Sequence, residues 1–113
     1  MSIVDHIAIL VDNLEKAEKW YKEHLKCEVS YRDKKYIRLE TNNTSIALID
    51  KQFYPHAHFA ILVKNIEDLP TDKGEVVKHR DGTIGVYVKD PFGNYLEYIW
   101  YSDKQKEVFL NND

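Results

Sequence analysis

The chain is short of several things that would point to particular classes. It has one cysteine, Cys27, in 113 residues, so no internal disulfide can form and a reducing compartment suits it. It has no long apolar run. The longest, residues 7–11 and 59–63, fall far short of the about 20 residues that a membrane span needs. Ahead of Ile3 there is no basic start, long apolar stretch or small-residue cleavage site, so no signal peptide is expected. It also lacks a basic excess. Sixteen Lys and Arg stand against nineteen Asp and Glu, for a net charge of −3, which disfavours nucleic acid as a partner. The local stretch Arg32-Asp33-Lys34-Lys35 reads as a solvated turn.

What is present is ordinary for a globular protein. A chain that is 43% hydrophobic and 31% charged can bury a core, which excludes disorder for its bulk. At this length one domain is expected, residues 1–113, burying roughly 65% of its unfolded surface. The expectation from composition is a small cytoplasmic domain. Eight tyrosines could line a ligand cavity, although tyrosine is also a common strand residue.

The informative feature is an internal repeat. Residues 6–15 read His-Ile-Ala-Ile-Leu-Val-Asp-Asn-Leu-Glu, and residues 58–67 read His-Phe-Ala-Ile-Leu-Val-Lys-Asn-Ile-Glu. Seven of these ten positions are identical, His6/His58, Asn13/Asn65 and Glu15/Glu67 among them. Two apolar strands could share Ile and Leu by chance, but not His, Asn and Glu in register as well. The chain therefore reads as two copies of one module, at about 1–50 and 56–101, with a tail at 102–113.

Each copy reads β-α-β-β-β. In the first, residues 3–11 form a strand and Asp12 or Asn13 caps a helix. Leu14, Ala17, Trp20, Tyr21, His24 and Leu25 recur at helical spacing and are expected to lay one side on a sheet. Strands follow at 28–32, 36–41 and 45–50. In the second copy, residues 56–63 form the strand and a helix begins at Ile66, but Pro70 truncates it. Strands are expected at 75–79, 83–89 and 95–101, with turns at Asp81-Gly82 and Asp90-Pro91-Phe92-Gly93-Asn94. The tail reads as polar chain or a short helix. The fold class is α+β, two such modules forming a curved mixed sheet around a central groove.

Alternate side chains of a strand share a face, so His6, Ala8 and Leu10 lie together, as do His58, Ala60 and Leu62. Two copies related by a pseudo-two-fold axis would bring His6 and His58 together near that axis. Paired imidazoles beside a dry groove suit a divalent metal. Glu97, a charge inside Tyr95-Leu96-Glu97-Tyr98-Ile99-Trp100, needs a partner and would complete a two-histidine, one-carboxylate set. Three protein ligands leave positions open for substrate, as Lewis-acid catalysis requires. The plainer alternative is that His6 and His58 are satisfied by backbone groups and kept by repeat ancestry.

At this point the sequence resembles the vicinal-oxygen-chelate superfamily, also called the glyoxalase/bleomycin-resistance/dioxygenase superfamily. The matching pieces are Val4-Asp5-His6-Ile7-Ala8-Ile9, Asp12-Asn13-Leu14-Glu15-Lys16-Ala17 with Trp20-Tyr21, His58-Phe59-Ala60-Ile61, and the Asp90-Pro91-Phe92-Gly93-Asn94 turn running into Leu96-Glu97. The resemblance implies metal ligands at His6, His58 and Glu97, with Fe, Mn, Ni, Co or Zn as the ion. It also implies a small-molecule substrate chelated through adjacent oxygens, and a homodimer.

One position departs from the pattern. Several active members carry a fourth ligand in the fourth strand, where this chain has Ala47. Alanine neither ligates nor moves a proton, which argues against glyoxalase I or epimerase chemistry. Three-ligand members remain: extradiol dioxygenases, which are usually longer, and fosfomycin-type thiol transferases, which usually have a threonine where this chain has Ala8. Three functions stay open: a metal-dependent enzyme acting on a small oxygen-rich or electrophilic metabolite or antibiotic, a metal-free binding protein of the bleomycin-resistance type, and a regulatory subunit. Among the other candidates, His56 shares a face with His58, as a substitute ligand or an exposed strand start. His24 and His79 read as surface residues, and Cys27 as a small core residue. Tyr87, Tyr95 and Trp100 either line a pocket or pack the sheet.

Overall fold

The structure is a computed structural model and describes residues 1–79 and 82–102. The 102–113 tail, apart from Ser102, and Asp81 of the Asp81-Gly82 turn lie outside the described residues. Packing divides the chain into two compact units, Val4–Phe59 and Met1–Ile3 with the chain from Ala60 onward.

In the first unit, β1 (Val4–Val11), α1 (Leu14–His24), β2 (Glu28–Arg32), β3 (Tyr36–Glu40) and β4 (Ser45–Asp50) follow the expected order. The strands lie in the order β2-β3-β4-β1. Neighbours β2/β3 and β3/β4 run antiparallel, while β1 runs parallel to β4, so the sheet is mixed. The parallel pair is possible because α1 supplies part of the long crossover that such a pair needs.

Asn13 starts α1. Its backbone is extended and its Oδ1 accepts the Lys16 N–H at 2.9 Å, capping one of the helix's unpaired donors. Leu14, Ala17 and Tyr21 pack on buried Ile37, Leu39 and Leu48, together with Ile9 and Val11. Cys27 packs in the same cluster, as a small core residue would. Trp20 does not join them. It is 53% exposed and stacks on His24, ring centroids 3.9 Å apart. The spacing that groups it with Tyr21 places it about 100° away around the helix, at the margin of the apolar stripe.

Strand alternation leaves the opposite face of this sheet with different chemistry. Ala8, Ala47 and Ile49 are buried there, with Tyr36 and Tyr54 packed against them. The register sets His6 beside Ser45, Ala8 beside Ala47, Arg38 beside Ala47 and Glu40 beside Ser45. A bulge between Val29 and Tyr31 lets Ser30 turn its hydroxyl to Glu40 Oε2 at 2.5 Å.

The second unit holds most of β5 (His58–Val63), then β6 (Glu75–Lys78), β7 (Ile84–Lys89) and β8 (Tyr95–Trp100), in the order β5-β8-β7-β6. The expected helix is a single 3-10 turn, Ile66–Asp68. Pro70 forces the preceding Leu69 to extended backbone, and Leu69 drops into the core with Val63 and Val86. Trp100 packs on the same cluster.

The Asp90–Asn94 turn is tied from both sides. Asp90 Oδ1 accepts the Phe92 and Asn94 N–H groups at 2.8 and 2.9 Å, and the Asp90 N–H reaches the Asn94 carbonyl at 2.7 Å. The bonds from Asn94 and Phe92 hold the Asp90 carboxyl below its usual range. Gly93 takes φ 92°, which a side chain would resist. The turn thereby launches β8 in a fixed register, with Lys89 opposite Tyr95 and Tyr87 opposite Glu97.

Candidate metal centre

His6 lies on β1, on the face that carries Ala8, and is only 6% exposed. Its Nδ1 is 2.7 Å from Asp5 Oδ2. An ionised carboxylate only accepts hydrogen bonds, so the proton of a neutral His6 belongs on Nδ1 and its lone pair on Nε2. Asp5 is held in turn. Arg38 Nη2 stands 3.8 Å from the same Asp5 oxygen and donates to Ser45 Oγ at 2.9 Å, while Arg38 Nε donates to Glu40 Oε2 at 3.1 Å. The Ser45 hydroxyl donates to Glu40 Oε1. Arg38, Glu40 and Ser45 sit on the paired strands β3 and β4, and their mutual hydrogen bonds hold the long Arg38 and Glu40 side chains.

Two ionisable groups respond to that environment. Partial burial pushes the Glu40 carboxyl up, but the hydroxyls of Ser30 and Ser45 and the Arg38 guanidinium outweigh it, and the net effect is below the usual value. Burial pushes the Tyr36 phenol up to about 12, with only partial relief from its bond to Arg38.

His58 opens β5 and falls within the first unit. Its ring centroid is 5.6 Å from that of His6, edge to face at 77°. The two repeated histidines are therefore neighbours, as the repeat predicts. His56 precedes the strand, is half-buried, and lies 6.0 Å from His58. Ala47 is fully buried in the apolar floor with Ala8 and Ile49, and has no donor atom.

Glu97 lies on β8 in the second unit and is 1% exposed. Its partner there is His79, whose Nε2 stands 2.7 Å from Glu97 Oε2. This corrects the reading of His79 as a surface residue. Its side chain is 29% exposed, and its ring meets Tyr87 edge-on, centroids 6.4 Å apart. Room for the contact comes from Gly85 on β7. A Cβ built there would lie 2.0 Å from Glu97 Oε2 and 3.0 Å from His79 Nε2. The signal in the sequence was a glycine in the middle of a strand, which marks a close approach by another group. His24, by contrast, is exposed as expected, with its ring on Trp20.

Comparison with known proteins places the fold. A family model described as Glyoxalase/Bleomycin resistance protein/Dioxygenase superfamily matches residues 3–98. No curated protein matches significantly. The structure is similar to a member of that superfamily from Vibrio splendidus 12B01, with a TM-score of 0.65 and 14% identity over 89% of this chain and 100% of the other. It is also similar to methylmalonyl-CoA epimerase from Mycobacterium tuberculosis, with a TM-score of 0.72 and 14% identity over 92% and 91%. A homoprotocatechuate 2,3-dioxygenase variant from Brevibacterium fuscum gives a TM-score of 0.70 and 21% identity over 89% of this chain and 33% of that larger one. These identities establish a shared fold, which an epimerase and a dioxygenase both use, and fold does not fix the reaction. The chain belongs to the glyoxalase/bleomycin resistance protein/dioxygenase superfamily.

Proposed function

We propose that this protein is a metal-dependent enzyme acting on a small oxygen-rich or electrophilic metabolite or antibiotic, with His6, His58 and Glu97 as the metal ligands. The set offers two imidazole nitrogens and one carboxylate oxygen, a donor chemistry that suits Fe, Mn, Ni, Co or Zn. The observation that carries the reading is the Asp5 carboxylate on His6 Nδ1. A ligating histidine characteristically gives its other ring N–H to such a group, which fixes the tautomer and raises the basicity of the ligating nitrogen. A bound divalent ion would supply charge stabilisation for an oxyanion that develops on a chelated substrate.

The chain's own residues do the rest. Asp5, with Arg38 3.8 Å from its carboxylate, selects the neutral His6 tautomer whose lone pair is on Nε2. The buried alanines Ala8 and Ala47 leave a small, dry floor beside it. With alanine at position 47, no base stands there to take a proton from carbon, which favours dioxygenase or thiol-transfer chemistry over epimerisation. Metal titration of the purified protein tests the reading. Stoichiometric uptake, lost in His6→Ala, is expected, and no uptake of any of the five metals overturns it.

A second reading has its own support. Tyr36 and Tyr54, partly buried against Ala8, Ala47 and Ile49, are aromatic rings against which a planar ligand can lie without any metal, as in a bleomycin-resistance type of binding protein. Ligand binding undiminished in His6→Ala would favour it. We further propose a cytoplasmic homodimer, to be checked by light scattering. No helix among the described residues is long and apolar enough to cross a membrane.

A further inference from the structure

We propose that His79 is a positioning residue for Glu97, holding one carboxylate oxygen so that the other is presented for ligation; this rests on the metal reading above. Three independent features converge on it. The 2.7 Å contact joins His79 Nε2 to Glu97 Oε2, and with the carboxylate as acceptor the imidazole donates. Gly85 supplies the clearance, since a Cβ there would overlap Glu97 Oε2 at 2.0 Å and crowd His79 Nε2 at 3.0 Å. The backbone of His79 is anchored on each side of the chain reversal, its N–H to the Thr83 carbonyl at 2.9 Å and its carbonyl to the Gly82 N–H at 3.1 Å.

The physical argument turns on what a buried carboxylate can do. Glu97 is almost fully buried, so its carboxylate depends on bonded partners in the protein. Three torsions separate its carboxylate from the backbone, so β8 alone does not define the carboxylate plane. An N–H bond to Oε2 sets that plane and assigns ligation to Oε1. The two units thus use opposite versions of one device. In the first, a carboxylate orients a histidine ligand (Asp5 on His6). In the second, a histidine orients a carboxylate ligand (His79 on Glu97). Groups that orient metal ligands in this way are worth about 10–100-fold in metal affinity.

Cobalt(II) is the probe, read by calorimetric titration and by its visible absorption, on wild type, His79→Phe, His79→Gln and Glu97→Gln. His79→Phe keeps a flat ring and removes the donor. It is expected to weaken cobalt affinity about 10–100-fold and to shift the absorption spectrum. His79→Gln can place an amide N–H near the position of Nε2, and is expected to recover most of the affinity and the wild-type spectrum. A purely structural role would not be rescued in this selective way. Should His79→Phe fail to fold, His79→Asn, whose amide is too short to reach Oε2, takes its place with the same expectation. Wild-type uptake combined with unchanged affinity and spectrum in His79→Phe or His79→Asn overturns this inference alone. Equal loss in the Phe and Gln variants also overturns it. Absence of cobalt uptake by wild type overturns the metal reading, and this inference falls with it.

Discussion

Asp5 and His6 are neighbours in sequence and yet bond side chain to side chain, Oδ2 to Nδ1 at 2.7 Å. Successive residues of a flat strand point to opposite faces, so an ordinary adjacent pair would not meet. Here the Asp5 carboxylate turns to the His6 side of the sheet, where Arg38 stands 3.8 Å from the same oxygen. Asp5→Ala removes the group that fixes the His6 tautomer. We expect metal affinity about 10–100-fold weaker in this variant, with the far-ultraviolet circular dichroism unchanged. Affinity equal to wild type would mean that Asp5 does not tune the histidine.

Gly85 is expected to be intolerant of its smallest substitution. In Gly85→Ala the new methyl would lie 2.0 Å from Glu97 Oε2, against a carboxylate pinned by His79. Either the carboxylate moves and metal binding is lost, or β7 shifts and stability falls by roughly 1–3 kcal/mol, as overpacking does. Metal titration and a denaturant melt distinguish the two. A variant with both properties intact would contradict the crowding described at this position.

Tyr36 predicts an alkaline limit. Burial raises its phenol from 10.0 to about 12 in the folded state. A raised folded value means the neutral form is favoured by folding. The stabilisation is therefore complete below pH 10 and is lost as pH rises through about 12. Denaturant midpoints measured across this window should fall in wild type and fall less steeply in Tyr36→Phe. Parallel curves would show that another group sets the alkaline limb.

Glu40 predicts the acid side, with the opposite sign. Burial works against its ionised form, but Ser30, Ser45 and Arg38 favour that form more, and its folded value lies below 4.5. Its contribution is present above pH 4.5 and is lost as pH falls through the lowered value. Glu40→Gln should flatten this limb of the stability profile, measured by urea unfolding at a series of acidic pH values. A limb as steep as that of wild type would remove Glu40 from the account.

Much of the architecture was legible in the order of residues, because periodicity and turn chemistry are local. Asn13 is spaced correctly to cap the helix, and it does. The Asp-Pro-Phe-Gly-Asn run has one stable way to turn, with Gly93 at positive φ. Pro70 announced that the second helix would be cut short, and only a single 3-10 turn remains. Strand ends moved by one or two residues, as with β5, which starts at His58 instead of 56. Trp20 was placed on the buried side by spacing, and packing put it in solvent.

The repeat determined which histidines are equivalent, and aligning its two halves sets Ala47 against Glu97. What the tertiary structure alone decided is how each proposed ligand is held. Asp5 on His6 requires Arg38 from another strand, and His79 on Glu97 requires a chain reversal eighteen residues upstream together with a missing side chain at Gly85. Periodicity reports the face on which a residue lies. It carries no information on which distant group will share that face, because that depends on strand register and on the volume its neighbours leave open.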